Sequence, residues 1–425
     1  IIACDNDLEQ VPPNLATSDS LTDFGGVLNA AYFYQHASVT PMAVMGDFRA
    51  DNALMNEEPY PAFDRFNSDL ADGALNNQFF RPIYAALYKS ILSSNNVIEN
   101  SGSPSDVGEA KFLRALSYFK LVQMFGAVTV NLSSAPSTTD SSILIRQPVA
   151  DVYDNVIIPD LQDAIAALGN TNVNGRATSL AARGILGKVY VTRGDFASAA
   201  PILGAVVSGA TAAGVMLQDN YGEIFGTTND LNPEIIFATQ ISSSVPDEYS
   251  DSEFWSWSGG LDTKSLMPLD PSLIAAFDAS EAGGDTDLRR AVTIDETLMA
   301  SPKFPQAGGP DHDWIELRLA DAILLYAEAL NETGGTTNAI IELNKVRNRA
   351  GLSNTTATTQ TTVRTAIANE RRLELAFEGQ RWFDLVRTGT AQSVLGFDNS
   401  NWLLAPIPIS EITSSEGVIT QNDGY

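Results

Sequence analysis

Trp255 and Trp257 stand one residue apart in Ser252-Glu253-Phe254-Trp255-Ser256-Trp257-Ser258-Gly259-Gly260. In an extended chain, side chains two apart share a face, so both indoles would point the same way. Such a pair on a Gly/Ser-rich segment offers a flat apolar platform, and the C–H face of a sugar ring is its complement. Asn, Asp, Arg and Ser groups close by would bond the hydroxyls and fix orientation. The competing reading is a tryptophan pair buried beneath the loops. A second cluster runs from Asp47, Phe48, Arg49 and Asp51 to Tyr60, Phe63, Arg65, Phe66 and Asn67. Tyr60, between two prolines, is its expected exposed ring, and Phe48 its expected core ring. Trp314 and Trp402 are reserve positions, with Trp402 expected to pack beside Pro406-Ile407-Pro408.

Sugar-bond hydrolysis needs two carboxylates about 5–10 Å apart across a cleft. Asp47 with Asp51, Glu57 with Glu58, and Asp311 with Asp313 are the loop candidates. No motif fixes their geometry, and among 52 Asp and Glu residues such pairs arise by chance. No catalytic residue is assigned. Arg371, Arg372, Glu374, Glu378, Arg381, Asp384 and Arg387 are spaced for ion pairs along helices, a structural role. Trp382, inside that cluster, is expected in the core, and Glu109, Arg114 and Glu328 are read as structural too. One cysteine, Cys4, excludes an intrachain disulfide and a thiolate cluster, and a zinc site or Ser-His relay would have to be built on one of only two histidines, His36 and His312. The glycine pairs at 25–26, 259–260, 283–284 and 308–309 lack the Lys-Ser/Thr of a phosphate loop and read as turns. Asp285-Thr286-Asp287 offers hard oxygens without a complete EF-hand, so neither metal nor cofactor is expected.

These residues must be positioned by a chain of 425 residues, 44% hydrophobic, with ample material for a core. Lys and Arg number 25 against 52 acids, a net charge of −27. That balance excludes a nucleic-acid footprint and would be repelled by an anionic membrane surface. No run approaches the ~18 apolar residues of a membrane span. Helical periodicity is strong over Leu21–Tyr34, Ile83–Ile98, Gly108–Phe125, Tyr153–Leu168, Leu180–Arg193, Phe196–Val207, Leu317–Asn331, Asn338–Ala350 and Val363–Val386. Two pairs align: Tyr190 and Ala199 match Leu330 and Ala339, followed by Leu203 and Val206 against Leu343 and Val346. Small residues at a helix crossing with larger ones filling the next groove follow tetratricopeptide logic, whose period is about 34 residues. Residues 40–80 and 211–312 are rich in Gly, Pro, Asp, Asn and Ser, with short strands expected at Glu234–Gln240 and Ala127–Asn131. Long segments of this kind tend to carry function.

Ile1-Ile2-Ala3-Cys4, followed by Asp5-Asn6-Asp7, resembles a bacterial lipobox and the acidic export signal of Bacteroidetes surface lipoproteins. It implies lipidation of Cys4, with residues 5 to about 20 as a flexible tether.

Several motifs then occur in a shared order. Glu109-Ala110-Lys111-Phe112-Leu113-Arg114-Ala115, with Tyr118-Phe119 and Phe125-Gly126, resembles the GEARFLRA helix of the SusD/RagB family. Arg176-Ala177-Thr178 leading to Ala181–Leu186, and Arg318–Asp321 with Tyr326–Ala329, resemble its next signatures. Asn344–Gly351, Glu370–Gly379, Arg381–Leu385, Pro406-Ile407-Pro408 and Thr420–Tyr425 complete the order. The resemblance implies a mainly α, SusD-like fold: tetratricopeptide-like helical pairs forming a scaffold, a loop-rich half and a few short strands. It implies a tether over 1–20 and a single domain over 21–425. The scaffold would lie mainly in 21–39, 81–210 and 314–390, and the ligand-binding half in 40–80, 211–313 and 391–425. It implies a non-enzymatic, outer-membrane lipoprotein facing the cell exterior, touching the membrane only through its lipid. Such a protein binds a polysaccharide or oligosaccharide and delivers it to a SusC-like TonB-dependent transporter. The expected glycan contacts are Trp255, Trp257, Tyr60, Phe63, Arg65, Phe66, Asn67, Asp47 and Asp51, and the expected ligand is a neutral glucan such as laminarin. The alternatives are a tetratricopeptide-like scaffold that binds only protein, and an exported glycoside hydrolase.

Overall fold

The computed structural model describes residues 23–54, 58–137, 139–172, 174–242, 269–304 and 312–425. Several helices begin where the sequence supplies a cap. Ser103 accepts the Asp106 amide ahead of Pro104, Thr178 accepts the Ala181 amide, and Asp195 accepts the Ser198 amide. Several end at glycines free to adopt positive φ, such as Gly126 at 73°. The principal helices are α1 (Gly25–Phe33), α2 (Arg81–Asn100), α3 (Pro104–Phe125), α4 (Ile158–Ala167), α5 (Ser179–Thr192) and α6 (Phe196–Gly209). Then come α7 (Pro271–Glu281), α8 (Leu319–Glu332), α9 (Thr336–Arg349), α10 (Gln360–Glu374) and α11 (Arg381–Arg387). Strands β1 (Val128–Thr129) and β2 (Arg146–Gln147) form one antiparallel pair, and β3 (Ile235–Thr239) and β4 (Trp314–Arg318) another. The fold is mainly α with few short strands, as expected.

Consecutive helices pack in pairs, α2 on α3, α5 on α6 and α8 on α9. The small-residue logic holds at the α5–α6 crossing: a Cβ on Gly187 would lie 2.4 Å from Leu203 Cδ2, so only glycine permits this approach. Ala199 and Ala339, the aligned small residues, are both fully buried. One large apolar cluster runs through the helices and the β3–β4 pair and includes Phe112, Tyr118 and Trp382.

Three expectations are corrected. Residues 40–80 are not mainly open loop: short α, π and 3-10 turns occupy His36–Phe48, Tyr60–Phe63, Ser68–Ala71 and Gly73–Phe80. Phe48, Phe63, Phe79 and Phe80 drive that packing and are buried. The expected helix over 363–386 is two, because the chain breaks after Glu374, with Phe377 at φ 65° and Gly379 at φ 70°. The Arg/Glu cluster there is structural, but its partners are mostly distant in sequence. Arg371 reaches Asp321 at 2.6 Å, Arg381 reaches Asp51 at 2.7 Å, and Arg387 reaches Glu328 at 2.6 Å. Glu374 accepts from Arg318 and Arg289 and pairs with Arg349, while Glu378 pairs with Arg318 and Lys303. Burial pushes the Glu374 carboxyl up, but Arg349, Arg318 and Arg289 outweigh it and hold the group well below the usual carboxylate range. These pairs fasten α10, the break after it and α11 to the rest of the molecule.

Candidate functional site

A groove of about 610 Å³ lies between α1 and the end of β3. That volume suits a ligand of several rings. Asn29, Tyr32, Phe33 and His36 form one wall; their spacing of three and four places them along one face of α1 and the turn that follows. Thr239, Gln240, Ile241 and Ser242, at the end of β3, form the other wall. The turn Asn174-Gly175-Arg176 closes one end, with Asp230 and Asp313 also lining the groove. Gly175 has φ 74°, and a Cβ there would lie 2.7 Å from the Gln240 amide, so glycine lets the turn meet the strand wall.

The polar groups beneath the rim are tightly connected. Tyr32 donates its hydroxyl proton to Glu109 Oε2 at 2.6 Å and accepts the Ala177 amide at 2.9 Å. Arg176 donates from Nε to the same Glu109 oxygen at 2.7 Å and from Nη1 to Asn29 at 2.9 Å. Its guanidinium lies 4.9 Å from the Tyr32 ring centre. Burial, and then the Glu109 charge, push the Tyr32 phenol well above its usual range, so it stays neutral. Asp313 accepts the Ile241 amide at 2.9 Å, and its own amide meets Asp230 at 3.4 Å. Tyr32 and Phe33 are half-buried, whereas Asn29, Asn174 and Gln240 are exposed. Partly open rings beside amide and guanidinium donors can hold a polyhydroxylated ligand by its face and its edge together.

None of the expected early-segment residues lines this groove. Asp47 is fully buried, accepting the Asn52 side chain at 2.8 Å, the Phe377 amide at 3.1 Å and the Gly379 amide at 2.6 Å. Phe63 is fully buried, edge-on to Phe79 at 5.4 Å. These two serve the core and offer a ligand no surface. Tyr60, expected exposed, is only 7% so, because it packs edge-on against Phe79. Phe66 stacks on Phe397 at 4.2 Å, and Asn67 caps the turn at Ser68–Ala71 through the Asp69 amide. Asp51 is held by Arg381 and Arg372. Arg65 alone is well exposed, paired to Glu58 at 2.6 Å and Asp69 at 3.2 Å. The reserve tryptophan Trp314 is buried, and Trp402 packs edge-on to Tyr425 at 5.4 Å. Trp255, Trp257, Cys4, Glu57 and Asp311 lie outside the described residues. Sequence reasoning missed Tyr32, Phe33 and Gln240 as groove residues; the run Asn29, Tyr32, Phe33, His36 was the available signal, an aromatic and polar face on a short helix.

Residues 6–191 match the family model described as starch-binding associating with outer membrane, and residues 293–401 match the SusD family model. A SusD-like protein of Bacteroides ovatus is 27% identical over 435 residues, spanning 88% of this chain and 76% of that one. A SusD-like protein of Formosa agariphila is 24% identical, spanning 100% of this chain and 97% of its own. A SusD superfamily protein of Bacteroides vulgatus superimposes with a TM-score of 0.79 at 21% identity, covering 95% of this chain and 99% of that one. A solved structure described as a laminarin binding SusD-like protein has a TM-score of 0.71 at 26% identity, covering 95% and 99%. The helical pairs, the ordered motifs and matches along both halves of the chain have one common account: it belongs to the SusD/RagB family.

Proposed function

We propose that this protein is a cell-surface glycan-binding lipoprotein that captures a polysaccharide or oligosaccharide and passes it to a SusC-like TonB-dependent transporter. The observation that carries the binding reading is the α1–β3 groove, where half-buried Tyr32 and Phe33 adjoin Arg176 and Gln240. Ser242 is the last described residue of the groove's strand wall, and Trp255 and Trp257 come after it in the sequence. Trp255 and Trp257 are proposed as further glycan contacts. A neutral glucan such as laminarin is the proposed ligand, supported by the laminarin-binding neighbour and by the chain's net charge of −27. Cys4 is the proposed lipid anchor on the outer face of the outer membrane, with residues 1–20 as its tether and 21–425 as one domain. Binding without cleavage is the proposed activity, a reading supported by the match to the SusD family model.

Calorimetry against laminarin, starch and alginate oligosaccharides tests this reading. Laminarin should bind in the micromolar range, and Phe33→Ala together with Gln240→Ala should weaken it. After long incubation the oligosaccharide should be recovered at its original length. A folded protein that gives no heat with any neutral glucan would overturn the assignment.

A further inference from the structure

Two floor residues of the groove, Gln35 and Thr239, belong to opposite walls and are joined beneath it by one buried ion pair. Lys120, on α3, donates to Glu316 Oε1 at 2.5 Å, to Ser38 Oγ at 2.8 Å and to Gln35 Oε1 at 3.2 Å. All three ammonium protons are thereby used. Glu316, on β4, accepts the Thr239 hydroxyl on the same oxygen at 2.7 Å. Gln35 is locked from its other end, its amide donating to Ser90 at 2.9 Å and Ser117 at 2.7 Å. Lys120 is 2% exposed and Glu316 8%. A buried pair of this kind gains little stability over apolar residues of similar size, because desolvation offsets the attraction. What it supplies is direction: each hydrogen bond fixes where its partner sits, which apolar contact does not.

We propose that Lys120 and Glu316 are a positioning pair that sets the separation of the groove's walls. Gln35 and Ser38 follow the ring-bearing Tyr32 and Phe33, and Thr239 precedes Gln240 and Ser242, so holding these floor groups holds both walls. Binding surfaces need their contacting groups placed within about 0.5 Å, which is what such a clamp provides. The proposal rests on the groove being the glycan's seat, although the clamp itself is open to a measurement without ligand.

The test is the double variant Lys120→Met with Glu316→Leu, which replaces the pair by apolar groups. It should melt near wild type but bind the glucan at least about tenfold more weakly. Spin labels at Asn29→Cys and Gln240→Cys, in a Cys4→Ala background, should report a shifted or broadened distance across the groove. The same treatment of Arg114 and Asp160, a buried pair that does not line the groove, should change neither readout. A folded double variant with wild-type affinity and an unchanged label distance would sink the proposal. If the double variant fails to fold, Gln35→Met and Thr239→Val each cut one link, and normal binding and distance in both would count equally against it. If wild-type protein binds no glycan, the functional reading fails, and the label distance alone decides the clamp.

Discussion

Asp47 shows how a residue suited by type to a ligand can be claimed by the core. Three donors converge on its carboxylate, yet complete burial pushes its carboxyl up to about 6. A folded-state value above the unfolded one, about 3.9, means the native protein holds that proton more tightly. Asp47 therefore contributes most below pH 4, and that contribution is lost as pH rises through 6. The loss is at most about 3 kcal/mol. Urea unfolding of wild type and Asp47→Asn at pH 4, 5, 6 and 7 should show wild type losing ground steadily; a constant difference would refute it. At this scale the sequence was legible for Trp382, whose place among charged groups marked it as core, and it is fully buried. It was illegible for Asp47, Phe63 and Tyr60. Their segment mixes α, π and 3-10 turns, so no single period tells which face a side chain occupies. Arg176 was quoted in a scaffold motif, but its neighbours Tyr32 and Glu109 come from elsewhere in the chain and only the fold brings them together.

The elements that position the site depend on a few close backbone approaches. Gly46, in the π-turn Val44–Phe48, faces Gly379, in the break between α10 and α11: a Cβ on Gly46 would lie 2.3 Å from the Gly379 backbone. A Cβ on Gly379 would meet Trp314 at 2.7 Å, at a φ of 70° that a side chain resists. Gly46→Ala and Gly379→Ala should each destabilise the fold by about 2–5 kcal/mol, from overpacking and, for the second, left-handed strain. Thermal melts check this; a melting temperature within error of wild type for both would show that the contact relaxes cheaply. The helices themselves were legible, since long apolar stripes and capping residues mark them. The break after Glu374 was not. Phe377 is a bulky residue in the left-handed region, and nothing local announces that; what stabilises it is tertiary, the Asp47 carboxylate accepting both the Phe377 and Gly379 amides.

At the scale of the whole molecule, charge separates the ligands. The chain carries −27, and within the groove the Arg176 charge is answered by Glu109 while Asp230 and Asp313 add acid to the lining. A uronic-acid chain such as alginate would meet repulsion there, whereas a neutral glucan meets none. Neutral stacking also has a distinct salt response, because added ions screen charge and leave dispersion and apolar burial almost untouched. Laminarin affinity should therefore be nearly the same at 0.05 M and about 0.5 M salt, a range over which the Debye length shortens several-fold. Trp255→Ala and Trp257→Ala should each weaken it by about 0.5–1.5 kcal/mol beyond lost area, severalfold to about tenfold in affinity. The double variant should bind almost nothing while melting near wild type. Unfolding of both single variants would make the indoles core residues, and normal binding by the folded double variant would leave the groove between α1 and β3 to hold the sugar alone. Alginate binding that outcompetes laminarin at low salt and vanishes at high salt would overturn the neutral-ligand reading altogether.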